Sequence, residues 1–356
     1  MQTKVKFMTR NLLSIAAMAS FLSVVPLPAF AAADKALDPA EAQARQAWRE
    51  TMHALPAPTS GCFHATFPNA QWEEVDCDSP APFWSVPPTG IGPLTVGNSS
   101  DYVAQAPTGH YFSSVLAGFP AGKDVKSETD GGPNEYTLQL NTNFDFNSPA
   151  CDGFSDCASW QQYVLSSNFF AFGASHPSGK SEVFIQDWLL NYGVHDGRNI
   201  CPAGFTDFGE QQGGPGDNCA RNSKAVVVAN GQIPISDLGD LALGGTAKHG
   251  GSDEVEAFFG KDAFKVSTPD SLTDISVRWS DAEFNVFGNG GGSKAVFNSG
   301  AELEVELLLD YGSSSTPKCQ PPSKHLGTTA ETNNLSLGEC VASGGKNPFI
   351  EFVEGN

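Results

Sequence analysis

Three stretches put amide or carboxylate side chains where a half-buried strand should carry apolar ones. In residues 280–287 (SDAEFNVF), Glu283 shares a face with Asn285 and Phe287 if the segment is extended. A carboxylate set among aromatics loses hydration, which raises its pKa and suits it to acid–base work. In residues 183–192 (VFIQDWLLNY), Gln186 falls on one side with Phe184, Trp188, Leu190 and Tyr192, an aromatic wall holding a single amide. In residues 159–164 (SWQQYV), the adjacent Gln161 and Gln162 face opposite sides of any sheet, so one of them meets whichever side is buried or concave. The plainer account of the same residues is that the amides bond to neighbouring strands and Glu283 caps a sheet edge.

Other chemistries find less support. Gly179-Lys180-Ser181 resembles the end of a phosphate loop, but the earlier glycine that loop requires falls at Ala174. G-x-S-x-G and H-E-x-x-H are absent. The histidines at 53, 64, 110, 176, 195, 249 and 325 are too scattered for spacing to locate a triad. Asp145, Asn147, Asp152 and Asp156 crowd one loop with oxygen ligands of the kind Ca²⁺ takes, but outside the EF-hand register, and a solvated loop is the expectation. Close CxxC or Cys/His spacing for zinc is missing. No metal and no cofactor are expected. Asn98-Ser99-Ser100 and Asn334-Leu335-Ser336 fit the glycosylation sequon and are read as chance.

The elements that must position these residues are strands. Glycine (37) and proline (24) are abundant and only 17% of residues are charged, which suits many turns and few long helices. Residues 301–311 (AELEVELLLDY) alternate most clearly: Leu303, Val305, Leu307 and Leu309 point inward, and Glu302, Glu304 and Glu306 to water. Residues 135–146 alternate likewise, and further strands are expected at 111–119, 160–166, 183–192, 225–229, 238–246, 255–259, 282–287, 295–298 and 348–353. Turn clusters such as Asp130-Gly131-Gly132-Pro133 separate them, with no helix–strand alternation. The fold class is therefore all-β, an antiparallel two-sheet sandwich with a short N-terminal helix. That helix lies within residues 34–54, with Asp38 as its cap, Pro39 at its first position, and Trp48 and Met52 on one face.

Lys4, Lys6 and Arg10, an apolar run from Leu12 to Val25, and Ala29-Phe30-Ala31 form a signal-peptide pattern over residues 1–31. The expected organisation is that leader, a helical arm or pro-segment at 32–58, and one β-sandwich domain at 59–356. Eight cysteines follow the leader and fall into four local pairs, Cys62–Cys77, Cys151–Cys157, Cys201–Cys219 and Cys319–Cys340, consistent with a secreted or periplasmic protein. A net charge of −20 repels phosphate and anionic lipid, so neither nucleic acid nor membrane is an expected partner.

The order of segments resembles the glutamic peptidases of the Gln/Glu dyad type, secreted acidic β-sandwiches of lectin-like (concanavalin-like) jelly-roll architecture. In that family a Gln-bearing strand is followed by a Trp/Tyr-rich one, echoed by Phe184 to Tyr192, and the catalytic Glu lies in Ala-Glu-Trp, echoed by Ala282-Glu283-Phe284. The resemblance spans roughly residues 135–310. Phe284 replaces the Trp, no Leu-Gln-x-Gly surrounds Gln161 or Gln162, and the cysteine-bearing residues 195–222 and the region 319–356 have no counterpart. The resemblance implies an acid-acting peptidase in which Glu283 is the general base and one of Gln161 or Gln162 donates to the oxyanion. Parity does not choose between them, and the spacing to Val164 favours Gln161. Gln186, Trp188 and Asn285 would line the cleft, and the chain would act as a monomer on a polypeptide substrate. Two other functions fit the same elements: a non-catalytic carbohydrate-binding sandwich with a glycan as partner, and an exported interaction protein.

Overall fold

The computed structural model describes residues 38–78, 101–168, 179–210, 214–321 and 329–356. The leader pattern, Ala174 and the first sequon lie outside the described residues. Two large antiparallel sheets carry the fold. The first runs, in spatial order, Glu73–Val75, Gly61–Thr66, Asp262–Pro269, Ser252–Phe259, Leu241–Ala247, Ser114–Lys123, Glu302–Asp310, Phe349–Gly355 and Ser336–Ser343. The second runs Thr206–Glu210, Asp217–Asn222, Ser181–Tyr192, Ala158–Ser166, Tyr136–Thr142, Asp281–Gly288, Val103–Gln105 and Lys318–Gln320, with Val226–Ala229 also paired to Ser181–Tyr192.

The core forms where the period-two apolar faces meet. Leu138, Leu140, Tyr163, Leu165, Val183, Ile185, Phe284 and Val286 of the second sheet pack with Leu243, Val255, Ala257, Val305 and Leu307 of the first. The two sheets approach closely at Gly245, where a Cβ would lie 2.6 Å from the Tyr163 ring. All four local cysteine pairs are disulfide-bonded.

The helix spans Pro39–Ala54, and Asp38 caps it by accepting from Ala40 N at 3.0 Å. Trp48 and Met52 bury against Leu116, Ala242 and Phe258 on the outer face of the first sheet, so the helix is a third layer there. This layer explains two departures from the sequence reading. Glu306, expected in water, is 2% exposed, with Glu50 of the helix among the charges acting on it. Residues 262–269, absent from the expected strands, form one with Lys265 at its centre. In the fold its ammonium is buried on ion pairs with Glu254 and Glu256, both at 2.7 Å.

Other boundaries shifted for local reasons. The first three residues of the expected 238–246 strand end a 3-10 helix, Ile235–Asp240, which buries Ile235 and Leu238 three residues apart. Tyr192 leaves the Gln186 face because Asn191 adopts a left-handed conformation, φ 56°, and packs instead with Leu189 and the Cys151–Cys157 and Cys201–Cys219 bridges.

Candidate functional site

Strand register draws the expected residues into one row. Glu283 pairs with Asn141, Asn141 with Gln162, Gln162 with Gln186, and Gln186 with Asn222. Directly opposed residues share a face, so five polar side chains cross five strands on the side of the second sheet away from the core. Their hydrogen bonds form a chain. Asn141 Nδ2 donates to Glu283 Oε2 at 3.0 Å, and Gln162 Nε2 donates to Asn141 Oδ1 at 3.0 Å and to Gln139 Oε1 at 3.1 Å. Trp188 Nε1 donates to Gln186 Oε1 at 2.8 Å and to Gln162 Oε1 at 3.2 Å, and Gln186 Nε2 donates to Asn222 Oδ1 at 2.8 Å. Burying amides is costly unless they are bonded, and each of these bonds offsets part of that cost.

Of the two adjacent amides, Gln162 shares the face of Glu283. Gln161, which the spacing to Val164 favoured, points the other way, between the sheets. It accepts from Thr273 Oγ1 at 2.6 Å and donates to the Tyr163 hydroxyl at 2.9 Å. Asp187 shares that inward side, and burial, partly opposed by the Arg221 charge, raises its pKa to about 7. Asn285 lies on the Glu283 face and donates to Glu354 Oε2 at 3.1 Å. Burial pushes Glu354 up to about 8, against the lowering effect of hydrogen bonds from Asn285 and Asn333.

The aromatic wall is present at the other end of the row. Trp160 and Trp188 stack with centroids 6.4 Å apart, and Phe144 and Phe208 pack edgewise or tilted against them. The whole face is withdrawn from solvent: Glu283, Asn141, Gln162 and Gln186 are all buried.

Asp101 joins Glu283 and was missed by sequence reasoning. Val103 pairs with Glu283, so Asp101, two residues earlier, falls on the same face. Burial first, then the charge and hydrogen bond of Glu283, then the charge of Glu354, hold the Asp101 carboxyl well above the usual carboxylate range. The Val103–Gln105 strand is too short to display a period, and Asp-Tyr-Val-Ala-Gln carries no motif.

In the acidic loop considered for Ca²⁺, one carboxylate has an ionic partner. Asp145 accepts from Arg278 Nη1 at 3.2 Å and bridges Ser159 through its backbone. Among the described residues, His249, Asp270 and Asp274 are the group whose possible ligand atoms lie within 4.8 Å of one another, and His249 Nδ1 is 3.3 Å from Asp274 Oδ1.

No family model matches the chain, and no curated protein does. Among solved structures, scytalido-glutamic peptidase with a peptide-based transition-state analogue overlaps 73% of this chain and 98% of its own, at 11% identity and a TM-score of 0.32. SCP-B, a member of the eqolisin family of peptidases in complex with the tripeptide Ala-Ile-His, overlaps 72% of this chain and 98% of its own, at 10% identity and a TM-score of 0.28. The likeness is weak and distant, and overlap at that level assigns no activity to this chain.

Proposed function

We propose that this chain is an acid-acting, peptidase-like hydrolase in which Glu283 is the general base and Gln162 the oxyanion donor. One observation carries the reading: both side chains bond to Asn141 from neighbouring strands, which sets a carboxylate and an amide donor on one face. Two strand spacings separate their backbones, about 10 Å. The Asn141 side chain bridges that span in the resting fold, so a water and a carbonyl group engage the pair only as its bonds are exchanged.

In this reading Glu283 takes a proton from water as the water attacks the scissile carbonyl. Gln162 Nε2 donates to the oxygen that becomes negative, and Glu283 returns the proton to the departing amine. Both Nε2 hydrogens are engaged in the resting fold, by Gln139 and Asn141, so one of those bonds must be exchanged for the oxyanion. The row is buried, so substrate reaches it only when this face is uncovered. The Trp160–Trp188 pair would then flank the substrate chain. Four disulfides suit an oxidising compartment, and no described helix is long and apolar enough to cross a membrane.

The test is incubation of the purified protein with denatured protein at pH ~3–5, where carboxyl groups titrate, beside a Glu283→Gln variant. Cleavage that disappears in the variant supports the proposal. Cleavage that persists removes Glu283 from the mechanism, and absence of cleavage by the folded protein at every pH moves the reading to a binding function.

A further inference from the structure

We infer that Asp101 is a positioning residue for Glu283: it keeps a proton that it donates to Glu283, and the loss of that proton closes the site toward alkaline pH. The inference rests on the proposed role of Glu283, but its geometry stands independently. The pairing of Glu283 with Val103 places position 101 diagonally across from Glu283 on the same face of neighbouring strands, a separation that carboxyl side chains bridge. Both residues are 1% exposed. Neither oxygen of Asp101 meets an N–H or O–H donor of the described residues, and after burial the Glu283 carboxyl acts on it most strongly.

Two buried carboxyls set diagonally on one face of neighbouring strands cannot both ionise without setting like charges against each other, so a proton is retained. Asp101 carries it and donates to Glu283. Asn141 Nδ2 donates to Glu283 Oε2, so the Glu283 head group is held by Asn141 and by Asp101, turned toward the row that contains Gln162. The charged groups acting on Asp101 are Glu283 and Glu354, both acidic, so no described cation competes for the pair. Deprotonating Asp101 removes its bond to Glu283 and sets the two groups against each other. Asp101 therefore keeps its proton well beyond the usual carboxylate range.

Asp101→Asn separates this from a merely structural role, because an amide still donates to Glu283 but cannot lose a proton in this range. Kinetics should show kcat largely retained at acid pH and the alkaline limb of the pH–rate profile displaced upward by ~1 unit or more. Asp101→Leu, which cannot donate, should lower kcat with little change in KM. An unchanged alkaline limb in Asp101→Asn overturns the inference.

Denaturant unfolding of the wild type and Asp101→Asn from pH 4 to 8 gives a second readout that needs no activity. The variant should gain stability over the wild type as pH rises, and a difference that does not vary with pH also overturns the pairing. If no cleavage occurs at any pH but the stability difference grows, the carboxyl pair stands and the hydrolase reading falls.

Discussion

Lys265 Nζ lies 2.7 Å from Glu256 Oε1 beneath the N-terminal helix, in a layer where a charge would ordinarily be excluded. The same ammonium sits 2.7 Å from Glu254 Oε2 and from the Leu55 carbonyl, and 4.8 Å from the centroid of the Trp72 ring. His53 of the helix reaches Glu256 Oε2 at 3.1 Å, in space left by Gly244, where a Cβ would come within 2.6 Å of that carboxylate. The ion cluster thus locks the arm to the sheet on the side opposite the Glu283 row.

Replacing Lys265 by Met should destabilise the fold by about 3–5 kcal/mol, because two buried carboxylates lose their counter-ion. Denaturant unfolding at neutral pH would measure it, and a loss under ~1 kcal/mol would show the cluster to be dispensable. Burial works to raise the Glu256 pKa, but the charges of Lys265 and His53 outweigh it and hold the group below its ordinary value. Its contribution is therefore present above the unfolded carboxylate pKa and is lost as pH falls through the lower folded value.

Most of the other perturbed buried carboxyls act in the opposite sense. Burial together with neighbouring acids raises Glu128 and Glu306 to about 8 and Glu182 and Glu351 to about 7, while burial alone accounts for the rise of Glu354 to about 8. Glu306 and Glu351 face each other directly across neighbouring strands, where two like charges repel. A folded pKa above the unfolded one gives stability that is complete below about pH 4 and lost as pH rises through the folded value.

The melting temperature should consequently be highest in mild acid and fall through pH 7–8, the range in which these groups ionise. Scanning calorimetry from pH ~4 to ~9 would show it. Glu306→Gln should flatten the decline, and a melting temperature that holds steady or climbs over this range would contradict the assignment.

What the sequence made legible were features whose cause is local. The Leu303–Val305–Leu307–Leu309 alternation, the Asp38-Pro39 helix start and the four short cysteine loops each depend on neighbours in the chain. Features decided by distant contacts were not legible. The burial of Lys265 is explained only once Glu254 and Glu256 are beside it, and Glu306 reads as solvent-facing until the helix layer covers it. The Glu283 row shows both limits. Parity puts Gln161 and Gln162 on opposite faces but cannot say which is the core face, since that depends on Gly245 and Thr273 in distant parts of the chain. Asp101 enters only through the pairing of a three-residue strand.

That ambiguity supplies a sharp test of the mechanism. Gln161 and Gln162 are chemically identical neighbours, both fully buried, so their substitution by Ala removes the same atoms from opposite faces. Gln162→Ala should lower kcat by about 10²–10³-fold, the usual cost of one oxyanion donor, while KM changes little. Gln161→Ala should leave kcat within a few-fold, because its partners are Thr273 and Tyr163 between the sheets. Its cost should appear in stability instead, about 1–3 kcal/mol, from the buried Thr273 and Tyr163 hydroxyls left without that amide. Steady-state kinetics beside denaturant unfolding would separate the two outcomes. If Gln161→Ala abolishes turnover while Gln162→Ala does not, the reacting face is the one between the sheets and the Glu283 row is structural.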